Sequence, residues 1–323
     1  MPNAIVVHQP GGPEALRWES VEVAAPGPGQ ARIAQPAVGL NFIDVYHRTG
    51  LYPLPLPFIP GVEGAGVIEA VGEGVRGFAN GDRVAYAGPI GGYAEVRLID
   101  ADRLVHLPDD IGFDQAAAMM LQGMTARMLL RSVHAVKAGE TILVHAAAGG
   151  VGLILCQWAA ALGARVIGTV STDAKAELAR AHGCHHAIVT GKTDFVAETL
   201  RITGGEKLPV VYDSVGKDTF LRSLDCLAPR GLMVSFGQSS GPVEPFAPGL
   251  LAQKGSLFLT RPTLFTYIAD PAELAASAAE LFAIVASRKV KVEIHQRFAL
   301  AEAAEAHRAL EARRTTGSTI LTV

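Results

Sequence analysis

The 323-residue chain predicts an α/β protein of two domains, one β-rich and one built on a doubly wound parallel sheet. Three observations predict it. The length exceeds what one compact hydrophobic core usually serves. The first hundred or so residues carry short alternating or β-branched runs, separated by Gly and Pro turns. From near residue 114, apolar strand-like runs alternate with helical patterns over roughly 140 residues, the rhythm of a parallel sheet covered by helices.

Taken in order, residues 4–8, 30–37, 66–71, 83–87 and 93–98 read as strands. Residues 51–60 carry four prolines and form an ordered loop or lid rather than regular structure. Residues 113–130 read as a helix, with Asp114 as its N-cap ahead of Ala116. The alternating part follows. Residues 141–145 are a buried strand, 151–162 a helix, 164–170 a strand, 174–182 a helix, 188–189 a short strand and 195–202 a helix. Three strand-like runs come next, at 210–213, 232–236 and 256–260. The tail reads helix 271–287, strand 294–298, helix 301–312 and strand 318–322, which leaves the repeat and returns to the first domain. The expected division is therefore 1–122 and 265–323 for the β-rich domain, and 123–264 for the parallel-sheet one.

Composition excludes several function classes. Hydrophobic residues make up 49% and charged residues 18%, enough apolar material for two cores and too few charges for a disordered chain. A net charge of −3 provides no footprint for nucleic acid or an anionic membrane surface. The apolar stretch 149–164 is interrupted by Gln157 and is too short to span a bilayer. No secretory signal is expected from the first residues. The three cysteines, Cys156, Cys184 and Cys226, form no CxxC pair and are odd in number, so a reducing cytoplasm is expected.

The densest chemical signal is Val144-His145-Ala146-Ala147-Ala148-Gly149-Gly150-Val151-Gly152, where a buried strand turns into a helix. In the dinucleotide fingerprint G-x-G-x-x-G, Ala147 takes the first place and Gly149 and Gly152 the others. Gly149 lets the backbone approach a pyrophosphate, Gly152 lets the helix pack on the strand, and the phosphate sits at the helix N-terminus by Gly150 and Val151. An NAD enzyme usually carries an acid about 20 residues further on to hold the ribose 2′-OH. Here Ser171 and Thr172 can bond a 2′-phosphate and Lys175 supplies the countercharge, which points to NADPH. Asp173 argues the other way if it faces the ribose; the competing reading makes it the N-cap of the helix at 174–182.

No zinc site is expected. The cysteines lack the spacing of a structural site, none precedes residue 156, and the ten histidines are scattered. His145 reads as a packing residue and His185-His186 as a surface pair. Hydride transfer without a Lewis acid favours acceptors that need little polarisation, such as quinones and conjugated enones.

Ordered matches run along the chain. They include Gly11-Gly12-Pro13-Glu14, Gly39-Leu40-Asn41-Phe42-Ile43-Asp44-Val45-Tyr46, Gly50-Leu51-Tyr52-Pro53 and Pro60-Gly61-Val62-Glu63-Gly64. They continue through Gly81-Asp82-Arg83-Val84, the turn at 145–152, Tyr212-Asp213-Ser214-Val215-Gly216, Ser235-Phe236-Gly237 and Thr260-Arg261-Pro262. In these the chain resembles the zinc-free quinone oxidoreductases of zeta-crystallin type, within the medium-chain dehydrogenase/reductase superfamily. The resemblance implies a GroES-like β domain made from both chain ends and a central Rossmann domain, with the active site in the cleft. Asn41 and Val62 stand where zinc-dependent relatives carry a Cys and a His ligand.

By the same resemblance, Asn41, Tyr46 and Tyr52 line the place where nicotinamide and quinone meet, and Asp44 anchors the Asn41 loop. Gln122 and Thr125 lie near the nicotinamide ribose, Lys175 binds the 2′-phosphate, and Ser214 and Phe236-Gly237-Gln238 border the cofactor. Arg313 reaches it from the tail. Thr190 stands where the family often has a Tyr that helps hold the 2′-phosphate: a hydroxyl survives and the stacking face is lost. A homodimer pairing through residues 256–260 is implied. The expected activity is direct hydride transfer from NADPH to a quinone, with a Tyr hydroxyl or solvent completing protonation. Reduction of activated C=C bonds, and an NADPH-binding sensor without turnover, stand as rival readings.

Overall fold

The computed structural model describes all residues, Met1–Val323, and the chain divides into two compact units. Unit 1 comprises Met1–Met124, Ile268–Ala286 and Val292–Val323; unit 2 comprises Thr125–Tyr267 and Ser287–Lys291. The tail therefore passes through unit 2 once more, over five residues, before its last strands.

Unit 1 begins with a hairpin-like pair, β1 (Asn3–Val6) and β2 (Arg17–Ser20). It continues with β3 (Gln30–Leu40), helix α1 (Phe42–Arg48), β4 (Glu63–Val71), β5 (Arg83–Ala87), β6 (Val96–Asp100) and β7 (Val105–His106). Helices α2 (Phe113–Ala117) and α3 (Met120–Arg127) follow. The expected single helix over 113–130 is thus broken at Ala118, and a π-helical turn, Met128–Val133, follows α3. The N-cap of α2 is Gly112, with Asp114 inside the first turn, so the expectation for Asp114 is corrected.

Unit 2 contains β8 (Thr141–Val144), α4 (Gly150–Ala161), β9 (Arg165–Val170), α5 (Asp173–Ala181), β10 (His186–Val189), α6 (Phe195–Ile202) and β11 (Leu208–Asp213). After these come α7 (Phe220–Ser223), β12 (Leu227–Ser235), α8 (Gly249–Gln253), β13 (Phe258–Thr260) and α9 (Leu264–Tyr267). The last elements, α10 (Pro271–Ala286), β14 (Ile294–Ala299), α11 (Ala303–Glu311) and β15 (Ser318–Thr322), belong to unit 1.

In unit 2 six strands run parallel in the order β10-β9-β8-β11-β12-β13. Chain progress reverses between β8 and β11, so the crevice at the carboxyl ends of these two strands is the natural ligand position of this topology. The strands are short apolar runs because both faces are covered; Leu143, Ile167, Val211 and Met233 are buried in one cluster with Phe195, Phe220 and Leu224. Unit 1 holds a seven-stranded sheet, β14-β15-β3-β4-β5-β7 with β6 on β3. Its long strand β3 pairs with β15 from the far end of the chain, which ties the termini into one sheet.

Helix α1 carries no apolar periodicity, and five of its seven residues are buried on different faces: Asp44, Val45, Tyr46, His47 and Arg48. That is why no helical stripe shows in its sequence. The proline-rich stretch 51–60 forms no helix or strand; Phe58 bridges Val7 through two main-chain bonds, and Phe58 and Ile59 pack on the core.

Candidate functional site

The turn after β8 has its strain at Ala146, whose φ of 51° lies in the left-handed region. Ala147 then donates its N–H to Thr169 O at 3.0 Å and is fully buried. A Cβ on Gly168 would meet the Ala147 Cβ at 2.6 Å, so the Ala147 methyl fits here because Gly168 is bare. Gly149 caps α4, and the first intrahelical bond is donated by Leu153 N to Gly149 O. The N–H groups of Gly150, Val151 and Gly152 come before it, and no carbonyl of the helix stands opposite them. A Cβ on Gly152 would lie 2.3 Å from Ala146 O and 2.8 Å from Ala147 C, so the helix packs on the turn only because that position is bare. A row of free N–H groups at a positive helix end, approached over glycine, is a cradle that fits a pyrophosphate. His145 is a satisfied core histidine. Its ring nitrogens meet Thr169 Oγ1 and Ser223 Oγ, each at 2.8 Å, and burial lowers its pKa.

Four further cofactor candidates gather at the next strand ends. Ser171, Thr172 and Lys175 follow β9, and Thr190 follows β10, which is paired with β9 in register Val189↔Val170. The N-cap of α5 is Thr172, whose Oγ1 accepts Lys175 N–H at 3.3 Å, and Asp173 is the first helical residue. The N-cap expected at Asp173 is therefore corrected by one position. Asp173 pairs instead with Lys192 at 2.5 Å. Thr190 turns its hydroxyl back on Val170 O at 3.3 Å. On the other side of β8, Ser214 and the segment Phe236-Gly237-Gln238 lie together at the ends of β11 and β12. Phe236 N donates to Asp213 O at 2.8 Å, and a Cβ on Gly237 would meet Ser214 O at 2.7 Å. The buried Asp213 carboxylate accepts Val215 N–H, Gly216 N–H and the Thr219 hydroxyl, which fixes this loop.

In unit 1, Asn41 is the hinge of a buried polar network. It caps α1, forming a capping box with Asp44, and its side chain also reaches further partners. Asn41 Nδ2 donates to Glu63 Oε2 at 2.6 Å, and Gln122 Nε2 donates to Asn41 Oδ1 at 3.1 Å. Gln122 Oε1 accepts from Ser318 Oγ at 2.7 Å, and Glu63 Oε1 accepts Leu121 N–H at 2.8 Å. Both ends of the Asn41 amide are therefore held, which also settles its orientation. Burial pushes the Glu63 carboxyl up to about 8. Asp44 accepts Asn41 N–H at 2.9 Å and the Tyr93 hydroxyl at 2.9 Å, so it is the anchor expected of it. Burial raises it to about 7, and its Oδ1 has no partner.

Behind Asp44 the network continues. Arg48 Nη1 donates to His307 Nδ1 at 3.1 Å, so the ring carries its proton on Nε2 and donates to the Tyr93 oxygen at 3.2 Å. Burial, then the Arg48 charge, lowers His307 to about 3. The Arg48 guanidinium is 1% exposed and forks onto Glu311 at 2.8 and 2.9 Å. Tyr46 and Tyr52 stand together, with ring centroids 5.1 Å apart in an edge-on arrangement and Tyr52 N bonded to Tyr46 O at 3.1 Å.

The structure thus gathers Asn41 with Gln122, and Tyr46 with Tyr52, in unit 1. It gathers Ala147, Gly149, Gly150, Val151, Gly152, Ser171, Thr172, Lys175, Thr190, Ser214, Phe236, Gly237 and Gln238 at the carboxyl edge of the sheet in unit 2. Thr125 lies three residues beyond Gln122 on α3. Arg313 is exposed just after α11, with φ 57°. Sequence reasoning missed Glu63, Ser318, His307 and Arg48 as members of the network. The Glu63 signal was an acid opening a strand inside a quoted match; the others carried none, being joined to it only by the fold. No group of three His, Cys, Asp or Glu side chains is placed to hold a metal ion.

Two family descriptions match the chain, "Alcohol dehydrogenase GroES-like domain" over residues 27–109 and "Zinc-binding dehydrogenase" over residues 150–282. A quinone oxidoreductase of Pseudomonas aeruginosa is 56% identical over 313 residues, 96% of each chain. A 2-haloacrylate reductase of a Burkholderia species is 46% identical over 330 residues, 99% of each. The solved structure of the Escherichia coli quinone oxidoreductase complexed with NADPH superposes with a TM-score of 0.98 at 48% identity, over 99% of this chain and 100% of that one.

Proposed function

Because the chain belongs to the quinone oxidoreductases of the medium-chain dehydrogenase/reductase superfamily, we propose that it reduces quinones with NADPH, and that the residues gathered above divide that work. The observation that carries the reading is the cradle of Gly149–Gly152, set in a chain similar from end to end to such enzymes. The N–H groups of Gly150, Val151 and Gly152 hold the pyrophosphate, and Ser171, Thr172 and Lys175 hold the 2′-phosphate. Ser214 and Phe236–Gln238 border the rest of the cofactor, with Gln122, Thr125 and Arg313 as further contacts. Bound NADPH supplies a hydride.

The remaining work belongs to the side chains of unit 1. Asn41, whose amide is clamped by Glu63 and Gln122, keeps its second N–H for a quinone oxygen. Tyr46 and Tyr52 flank the ring and donate hydrogen bonds; the hydroquinone is complete once one proton has followed the hydride. No strong acid is required, because a quinol oxyanion is a weak base. Clamping the donor before the substrate arrives lowers the entropy cost of orientation.

The test is NADPH consumption, followed by the absorbance of the reduced nicotinamide, with benzoquinone, a larger naphthoquinone and an enone, all with chelator present. Turnover with a quinone is expected. Turnover confined to the enone would move the function to double-bond reduction, a reading favoured by the 46% identity to the 2-haloacrylate reductase. Tight NADPH binding without turnover on any acceptor would replace the enzyme by a sensor.

A homodimer is part of the same proposal. Strand β13 is the edge of its sheet, with Phe258 61% and Leu259 39% exposed, beside a surface hollow of 670 Å³ lined in part by Pro229 and Arg230. An apolar open edge of this kind is suited to pairing with a second copy. Phe258→Asp is expected to turn a dimer into a monomer in sedimentation equilibrium; an unchanged mass would remove this edge as the interface. No helix is long and apolar enough to cross a membrane, and the three buried, unpaired cysteines support a cytoplasmic location.

A further inference from the structure

We propose that Lys192, rather than Thr190, is the group at the end of β10 that selects the 2′-phosphate, by neutralising Asp173 and then sharing the phosphate with Lys175. This rests on the reading of the chain as an NADPH-binding protein. Strands β9 and β10 end in register at Val170 and Val189, so the segments Ser171-Thr172-Asp173 and Thr190-Gly191-Lys192 leave the sheet side by side. Of the two threonine hydroxyls there, Thr172 uses its oxygen lone pair as an N-cap and keeps its hydrogen for a phosphate. Thr190 does the reverse: its hydrogen points at Val170 O, leaving only lone pairs toward an anion. The Thr190 side chain therefore supplies neither an aromatic face nor a donor.

The charge balance leads to the same residue. Asp173 opens α5 and carries a negative charge next to the two hydroxyls that would take the phosphate. Left alone, it would cancel Lys175 and repel a dianion. Lys192 meets it at 2.5 Å across the gap between the strand ends, with both side chains largely in solvent. The local sum over Lys175, Asp173 and Lys192 is then positive, and without Lys192 it is zero. An exposed pair of this kind adds little to fold stability, so its removal leaves the protein folded. A flexible ammonium can turn from one carboxylate oxygen to a phosphate oxygen without rearranging the backbone. Selection against NADH follows because its ribose hydroxyl gains nothing from the extra charge.

The experiment is calorimetric titration of the full chain with NADPH, with NADH, and with adenosine 2′,5′-bisphosphate, which carries the 2′-phosphate without the nicotinamide. Lys192→Gln is expected to weaken NADPH and the bisphosphate by about fivefold to tenfold, the scale of one exposed charge-assisted hydrogen bond, with NADH within about twofold. Asp173→Asn is expected to tighten NADPH severalfold and to restore most of the loss when combined with Lys192→Gln. If Lys192→Gln leaves the NADPH-to-NADH ratio unchanged while NADPH still binds, the role of Lys192 is wrong and the reading of the protein stands. Equal weakening of both cofactors would also overturn it, because a 2′-phosphate contact cannot affect NADH. Should the unaltered chain bind neither NADPH nor the bisphosphate, the reading and the inference fall together.

Discussion

Gly152→Val is expected to abolish NADPH binding at working concentrations and to cost fold stability, while Gly149→Ala leaves the fold stable and loses affinity only where its methyl meets the pyrophosphate. The added Cβ at Gly152 would sit 2.3 Å from Ala146 O and 2.8 Å from Ala147 C, and both are backbone atoms that cannot rotate away. Helix α4 must therefore lift from the turn after β8, taking the N–H groups of Gly150 and Val151 off the pyrophosphate. Each charge-assisted bond is worth about 1.5–3 kcal/mol, so losing two costs about a hundredfold to ten-thousandfold in affinity. The strain in the packed unit adds roughly 1–3 kcal/mol of lost stability. At Gly149 the nearest atom to a new Cβ is Ala146 O at 3.3 Å, a contact that a shift of a few tenths of an ångström relieves. Calorimetric titration, with circular dichroism to show that each variant is folded, separates the two. Equal losses of fold stability at both positions would mean that the glycines serve the turn rather than the close approach of the helix.

Glu63→Gln is expected to flatten the stability of the protein between pH 6.5 and 8. Glu63 is raised from 4.5 to about 8 and Asp44 from 3.8 to about 7, both by burial. A carboxyl with a raised folded pKa holds its proton more tightly in the folded chain. Its contribution is full below the unfolded pKa and is lost as pH rises through the folded one. His307 acts in the opposite sense, because it is lowered from 6.5 to about 3. Its contribution is present above 6.5 and lost as pH falls toward 3, so it does not offset the alkaline loss. Across pH 6.5 to 8 the unaltered protein should lose about 2 kcal/mol, most of it through Glu63. The glutamine cannot ionise, so the Glu63 share of that slope disappears and the smaller Asp44 share stays. It offers one acceptor where Leu121 N–H and Asn41 Nδ2 need two, so the variant starts about 1–2 kcal/mol lower at acidic pH. Urea midpoints at the two pH values measure both effects, and an unchanged slope in the variant would show that Glu63 is ionised in the folded protein.

The two predictions differ in how much of them could be read before folding. Gly152 was legible because a G-x-x-G spacing behind a buried strand has a local reason: chain geometry over six residues dictates where a helix must come close. The parallel sheet was legible for a related reason, since strands buried on both faces become short apolar runs whatever their neighbours. Helix α1 was not, because a helix buried on every side shows no stripe, and the amide of its capping residue Asn41 also bonds Glu63 and Gln122, far along the chain. The helix over 113–130 was read too long because apolar residues continue through the break at Ala118. Thr172 and Asp173 are equally good N-caps by residue type, and only the backbone φ and ψ choose between them.

Local rules in the sequence carry this much: two units, a parallel sheet of short apolar strands, and a helix brought close to its turn over a bare glycine. Tertiary structure alone decided the polar network of unit 1, where Arg48 meets Glu311, Asn41 meets Gln122 and Gln122 meets Ser318. These partners lie 263, 81 and 196 positions apart. At such separations no local spacing rule connects two residues. Burial also sets the protonation of Glu63, Asp44 and His307, because an ionisable side chain keeps its ordinary pKa until the fold removes its water.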